Sequence, residues 1–176
     1  MRIIGGLCKG KTLTPPRTFK ARPTTDFAKE SLFNILQNRM DFESAKMLDL
    51  FAGTGGISFE FASRGCKNID AVEIEPRHAG YIRQTAKELG FTQIHVIRND
   101  VFKFLKFCTE KYSVIFADPP YDNPRVAEIP SLVAEKTLLN PDGLLILEHS
   151  VRHDFSYHER FVEIRRYGSV NFSFFL

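Results

Sequence analysis

Cysteine is scarce in this chain, and its pattern excludes the frameworks cysteine usually builds. Cys8, Cys66 and Cys108 are odd in number, scattered and without a C-x-x-C pair, which fits reduced thiols better than a disulfide scaffold or a zinc site. Long apolar runs are also missing. The longest are strand-sized pieces such as GLLILE, and the opening MRIIGGLCKGK lacks an apolar signal core, so neither a membrane span nor a secretory leader is expected and the protein is expected in the cytoplasm. Internal repeats, low-complexity tracts and long linkers are absent as well. With 176 residues, 43% of them hydrophobic, the chain has enough for one domain with a real core and too little for a second folding unit of any size.

Net charge is only +3, but it is unevenly spread. Residues 1–29 carry Arg2, Lys9, Lys11, Arg17, Lys20, Arg22 and Lys29 against Asp26 alone, a local +6 that leaves the rest at −3. Clustered Lys and Arg on a mildly acidic body are what phosphate neutralisation requires, so this segment reads as an arm that contacts nucleic acid. The competing reading is an edge strand blunted with lysines.

The pattern along the chain predicts an α/β fold. RIIGG and KTLT, with glycines between, suggest a small hairpin followed by the proline-punctuated loop PPRTFKARP. Thr24, Thr25 and Asp26 offer helix caps, and Ala28, Leu32, Ile35 and Leu36 give one apolar helix face. From Met47 strands alternate with helices: MLDLF, a helix over 55–64, IDAVE, a helix from Pro76 to Gly90, IHVIRND, the short helix VFKFLKF, and YSVIFAD. A helix over 131–139, a turn NPDG and the strand LLILEHS follow, and FVEIRRYGSVNFSFFL alternates about Tyr167-Gly168-Ser169 like an antiparallel hairpin. The expectation is a doubly wound, mainly parallel seven-stranded sheet with helices on both faces, closed by that C-terminal hairpin. Residues 1–25 form a basic hairpin-and-loop extension and 26–176 the main domain.

In such a sheet ligands bind at the carboxyl ends of the strands. DLFAGTGGIS, residues 49–58, follows the first strand, and Gly53, Gly55 and Gly56 let the backbone approach a ligand at the start of a helix. Glu73 ends the second strand 20 residues beyond Gly53, where an acid can accept ribose hydroxyls. Asn99-Asp100 ends the third. A dinucleotide is disfavoured because Ser58 replaces the third fingerprint glycine and Asp49 would face a pyrophosphate; a ligand bearing an ammonium group suits Asp49 instead. Asp118-Pro119-Pro120-Tyr121 ends the fourth strand: the prolines make it rigid and leave carbonyls free beside an aromatic ring. A plain strand stop is the bland reading, and acids at strand ends are, one at a time, often only surface acids. His149, His153 and His158 match no helical face and read as solvated residues rather than metal ligands, and Phe172, Phe174 and Phe175 read as core.

Asp49, Gly53, Gly55, Glu73 and Asp100 in this order are similar to the cofactor site of class I S-adenosylmethionine-dependent methyltransferases, and DPPY resembles the [DNS]-P-P-[YFW] signature of amino-methyltransferases. Together with RIIGG, RPTTD, SLFNIL, LDLFAGTGGISFEFASRG, DAVE, IFADPPY and LLILEH, nearly the whole chain resembles the bacterial RsmD family of 16S rRNA guanine-N2 methyltransferases. That resemblance implies a Rossmann-like methyltransferase sheet. It also implies S-adenosylmethionine as methyl donor with S-adenosylhomocysteine as product, and 16S rRNA in an assembled or assembling small ribosomal subunit as partner; no metal and no membrane are expected, and so small a chain is expected to be a monomer. It implies cofactor contacts from Asp49, Phe51, Ala52, Gly53, Thr54, Gly55, Glu73, Ile74, Asn99, Asp100 and Val101, and catalytic roles for Asp118, Pro119, Pro120 and Tyr121. RNA contacts fall to Arg2, Lys9, Lys11, Arg17, Lys20, Arg22 and Thr24. The chain departs from the family at Gly56-Ile57-Ser58, at Thr85 where Asn is common, and at Phe27-Ala28-Lys29 where Arg-Val-Arg is usual, so not all of the arginine contacts carry over. The alternatives are an adenine-N6 methyltransferase acting on DNA or RNA and a noncatalytic RNA-binding ribosome assembly factor. A glutamine methyltransferase is disfavoured by Asp118, and a nicotinamide oxidoreductase leaves DPPY unexplained.

Overall fold

The computed structural model describes residues 1–16, 18, 19 and 25–176. Its elements alternate as the apolar pattern requires: α1 Asp26–Leu36, β1 Lys46–Leu50, α2 Gly56–Ser63, β2 Asn68–Glu73, α3 Pro76–Leu89, β3 Ile94–Arg98, α4 Val101–Phe107, β4 Tyr112–Ala117, α5 Glu128–Glu135, β5 Leu139–His149, β6 Phe161–Tyr167 and β7 Val170–Phe175. The seven strands run in the order β3-β2-β1-β4-β5-β7-β6. The first five are parallel, while β7 is antiparallel to both β5 and β6. None of the helices is long and apolar enough to cross a membrane among the described residues.

Strand alternation sorts the core into two faces. Met47, Ile69, Phe116, Ile146, Phe172 and Phe174 pack with α1, α2 and α3, whereas Leu48, Leu50, Ile115, Leu145, Leu147 and Phe175 pack with α4 and α5. The terminal phenylalanines are core because β7 lies between β5 and β6. Thr25 caps α1 by accepting from the Ala28 N–H, and Gly90 ends α3 in the left-handed region.

Two expected elements shift. The helix over 131–139 is instead Glu128–Glu135, because Pro130 falls within the first turn, where its missing N–H is no loss, and Leu138 belongs to the core beneath. NPDG does not precede its strand but lies inside β5: Tyr112 pairs with Leu139 and Val114 with Leu144, so residues 140–143 bulge out with Asp142 at φ 61°. His149 is buried rather than solvated. Its Nε2 lies 2.7 Å from Ser173 Oγ, because the last residue of β5 is still covered by β7.

The amino-terminal segment does form a hairpin, with Ile3 N–H donating to Lys11 O at 3.0 Å and Leu13 N–H to Met1 O at 2.8 Å. It docks on α2 through one buried acid. Both Glu60 oxygens accept backbone N–H groups of the hairpin, from Ile4 and Gly5, each at 2.8 Å. Arg64 at 3.0 Å and Lys29 at 3.8 Å neutralise the same carboxylate, and Lys29 also donates to Arg2 O. Ser63 completes the joint by donating to Gly5 O at 2.6 Å while accepting from Cys8 N–H at 2.9 Å. This contact explains the Gly-Gly pair: at Gly6, with φ 72°, an added Cβ would sit 1.8 Å from Ser63 O. Gly6→Ala is expected to lower stability by about 2 kcal/mol or more in urea denaturation. Gly10→Ala, where a Cβ meets nothing within 4 Å, should cost clearly less, since only its positive φ remains as strain.

Candidate active site

β1 and β4 are neighbours, yet the chain leaves β1 toward β2 and leaves β4 toward β5. Their connections diverge and open a crevice at the carboxyl ends. There lies a cavity of about 1040 Å³, at the upper end of the ~300–1,000 Å³ usual for ligand clefts and roomy enough for more than one small ligand.

One wall is the loop from β1 to α2. Phe51, Gly53 and Gly55 all have positive φ, at 60°, 55° and 78°, a fold-back held by Ala52 N–H donating to Val72 O and Gly55 N–H to Ala52 O. Phe51 tolerates the strain with its ring packed edge-on against Phe102, 6.0 Å away. Gly55 is needed for close packing as well as for its φ: a Cβ there would lie 2.9 Å from the Phe59 ring, whereas one on Gly56 would meet only the flexible end of Met1, its Sδ at 2.8 Å. α2 has no side-chain cap at Gly55. Asp49 serves instead from within the sheet, accepting from Ser58 N–H at 3.1 Å and Ser58 Oγ at 2.6 Å.

Glu73 stitches the loop to the second strand. One oxygen accepts the Gly53 N–H at 2.7 Å and the other the Glu75 N–H at 2.8 Å, leaving lone pairs on both for a ligand. The opposite wall is the expected tetrapeptide: Asp118, Pro119, Pro120 and Tyr121 all line the cavity. Asp118 N–H reaches Leu50 O at 3.4 Å, and Asn123 N–H closes a turn onto Pro120 O at 2.9 Å.

Asp49, Phe51, Ala52, Gly53, Thr54, Glu73 and Ile74 therefore converge with the tetrapeptide on one cavity. Gly55 stands just behind it. Asn99, Asp100 and Val101 contribute no lining: Asp100 caps α4 by accepting the Lys103 N–H at 2.9 Å, Asn99 is exposed, and Val101 is buried in the core under α4. Of the expected RNA contacts, Lys9 and Lys11 are exposed on the hairpin and Arg2 pairs with Asp26 at 3.5 Å. Arg17, Lys20, Arg22 and Thr24 lie outside the described residues.

Sequence reasoning missed Glu148 and the place of Lys29 in the site. Both line the cavity while only 3% and 2% exposed. The signal for Glu148 was available: like Asp118, it follows an apolar strand run directly. Phe19, His78 and Phe116 were missed too; the Phe19 and His78 rings lie 4.4 Å apart where they line the cavity.

The electrostatics are acidic. Burial, then the Glu148 and Asp49 charges, raise the Asp118 carboxyl well above its usual value. Burial pushes Asp49 up to about 7 against the relief given by Ser58, with Glu73 adding to the rise. A crevice of crowded carboxyls with glycine-loop amides fits a cationic amino-acid nucleoside, and on that donor set S-adenosylmethionine would face Asp49, the loop and Glu73.

Such a sheet with this crevice defines a class I methyltransferase. The family model described as conserved hypothetical protein 95 matches residues 1–176. Among curated relatives, Bacillus subtilis YlbH is 34% identical over 153 residues, covering 85% of this chain and 82% of its own. The ribosomal RNA small subunit methyltransferase D of Haemophilus influenzae is 32% identical over 152 residues, covering 84% and 78%. The solved structure of Escherichia coli YhhF superposes with a TM-score of 0.86 at 26% identity, covering 99% of this chain and 96% of that one. The chain belongs to this family, the RsmD family of S-adenosylmethionine-dependent methyltransferases.

Asp49 ties stability to pH. Folding raises its pKa from 3.8 to about 7, so the stability it contributes is fully present below about pH 4 and is lost as pH climbs to 7. Asp49→Asn keeps an acceptor for Ser58 but no charge. The ligand-free variant should melt several degrees above the parent at pH 8, with the gap narrowing as pH falls toward 4, and should bind S-adenosylhomocysteine more weakly by calorimetric titration.

Proposed function

We propose that this chain transfers a methyl group from S-adenosylmethionine to the exocyclic N2 of a guanine in 16S rRNA of the small ribosomal subunit, acting as a cytoplasmic monomer. The observation that carries the reading is the rigid Asp118-Pro119-Pro120-Tyr121 wall facing the glycine loop across one acidic cavity. The relatives' names, which specify ribosomal RNA of the small subunit, support the substrate class, and the exposed Lys9 and Lys11 supply positive charge for phosphates.

The chemistry explains the residues. An exocyclic amine is a poor nucleophile because its lone pair is delocalised into the ring, so the site has to hold both N–H groups and turn the lone pair outward. The Asp118 carboxylate and the Pro119 carbonyl accept those two hydrogens, and the fixed φ of the prolines keeps the acceptors in place. Tyr121, 42% exposed at the mouth, stacks on a base that has left its helix. Bound in the crevice, the cofactor supplies an electrophilic methyl on a cationic sulfonium and leaves as S-adenosylhomocysteine. The surplus proton on N2 passes to Asp118 once the N–C bond forms, and the raised pKa of that carboxyl suits it as acceptor. Acid protonates it beforehand, so activity should fall as pH drops through a value well above the ordinary carboxylate range.

The direct test is methyl transfer from labelled S-adenosylmethionine to small subunits, free 16S rRNA and plasmid DNA from a strain lacking the enzyme, followed by nucleoside analysis. N2-methylguanosine from the subunits is expected; label on DNA adenine, or on no nucleic acid despite bound cofactor, overturns the reading. Asp118→Ala should lower the rate by about a hundredfold or more with cofactor affinity little changed. Lys9→Ala combined with Lys11→Ala should weaken RNA binding and reduce its salt slope by about 1–2, and an unchanged slope would make the hairpin purely structural.

A further inference from the structure

Glu148 is a buried acid in the crevice to which this mechanism assigns no task. It is buried at the carboxyl end of β5, one position beyond Leu147, just as Asp118 lies one position beyond Ala117 on β4. Ala117 and Leu147 are register partners in a parallel pair, so the two acids leave adjacent strands, about 4.8 Å apart, side by side. Both share the parity of Phe116 and Ile146, which face the α1 side of the sheet, and both line the same cavity. Asp49 joins them from β1 and Lys29 from α1.

Two neighbouring carboxylates constrain what can dock against them. Each repels the other, and a base edge bearing hydrogens relieves that repulsion while an edge bearing a lone pair adds to it. Adenine and cytosine each place a ring nitrogen lone pair next to the exocyclic amine. Guanine has a lone pair at N3 on one side of its amine, but it alone of the four bases continues on the other side to a ring N1–H, so three donor hydrogens stand in a row. Asp118 and the Pro119 carbonyl account for two of them.

We propose that Glu148 is a specificity-determining residue whose carboxylate accepts the N1–H of the target guanine, so that the crevice rejects an amine whose ring neighbour on that side carries a lone pair instead of a hydrogen. This rests on the guanine-N2 reading above and adds to it the group that selects the base. A carboxylate has about four acceptor sites, so Glu148 can take this hydrogen alongside its contacts within the protein. The same chemistry makes Glu148→Gln informative, because an amide turns either its oxygen toward an N–H or its NH2 toward a lone pair.

The test replaces the methylated guanine, mapped first with the parent enzyme, by 2-aminopurine in 16S rRNA assembled into small subunits. That base keeps the C2 amine and carries a lone pair at N1. The parent enzyme should favour guanine by at least about tenfold in kcat/KM, and Glu148→Gln, checked for folding by its cofactor titration, should bring the two bases toward parity. Equal use of both bases by the parent enzyme overturns the proposal whether or not the variant folds, and so does an unchanged preference in the folded variant. The parent enzyme on authentic subunits reports separately on the underlying reading: with no N2-methylguanosine there, that reading fails and this one with it.

Discussion

Everything at the site depends on β1 lying beside β4. Right-handed crossovers carry the chain from β1 outward through β2 and β3, and the return to β4 on the other side of β1 splits the helix layers. The split gives Asp49 a strand partner in Phe116 and lets Asp118 N–H reach Leu50 O. The glycine loop and the proline wall thereby face each other without any contact between their sequences. Neither would form a pocket on an isolated βα unit.

The same geometry concentrates negative charge, and the protein answers it in two ways. Glu60, away from the crevice, is fully satisfied: two cations and two backbone N–H groups meet its oxygens, so a buried charge becomes a joint between hairpin, α1 and α2. In the crevice the acids lie close together instead, and burial together with the Glu148 and Asp49 charges raises the Asp118 carboxyl. At Glu60 the partners make a rigid joint, whereas in the crevice the acids crowd round a cavity.

Much of the fold was legible because local signals agreed with one another. Pro76 and Gly90 bracket α3, VFKFLKF is α4, and Gly168 marks the last hairpin. The failures came where tertiary contacts overrode local punctuation. NPDG reads as a turn, but Leu139 pairs with Tyr112 before it and Leu144 with Val114 after it, so the strand continues through a bulge. His149 reads as solvated at a strand end, yet β7 covers it, and no local pattern reports which strand will be a neighbour.

At the site, the candidate residues were legible in the sequence by their type and their place near strand ends: Asp49, the glycines, Glu73, and the Asp-Pro-Pro-Tyr wall are motif residues whose conformational needs are local. Tertiary structure alone decided which of them share a cavity. It brought in Lys29 and Glu148 from 89 residues before and 30 residues after Asp118, and it left Asn99, Asp100 and Val101 out of the lining. Spacing along a chain encodes backbone geometry over a few residues, whereas strand order and register fix which distant side chains meet, and those are settled only when the whole sheet packs.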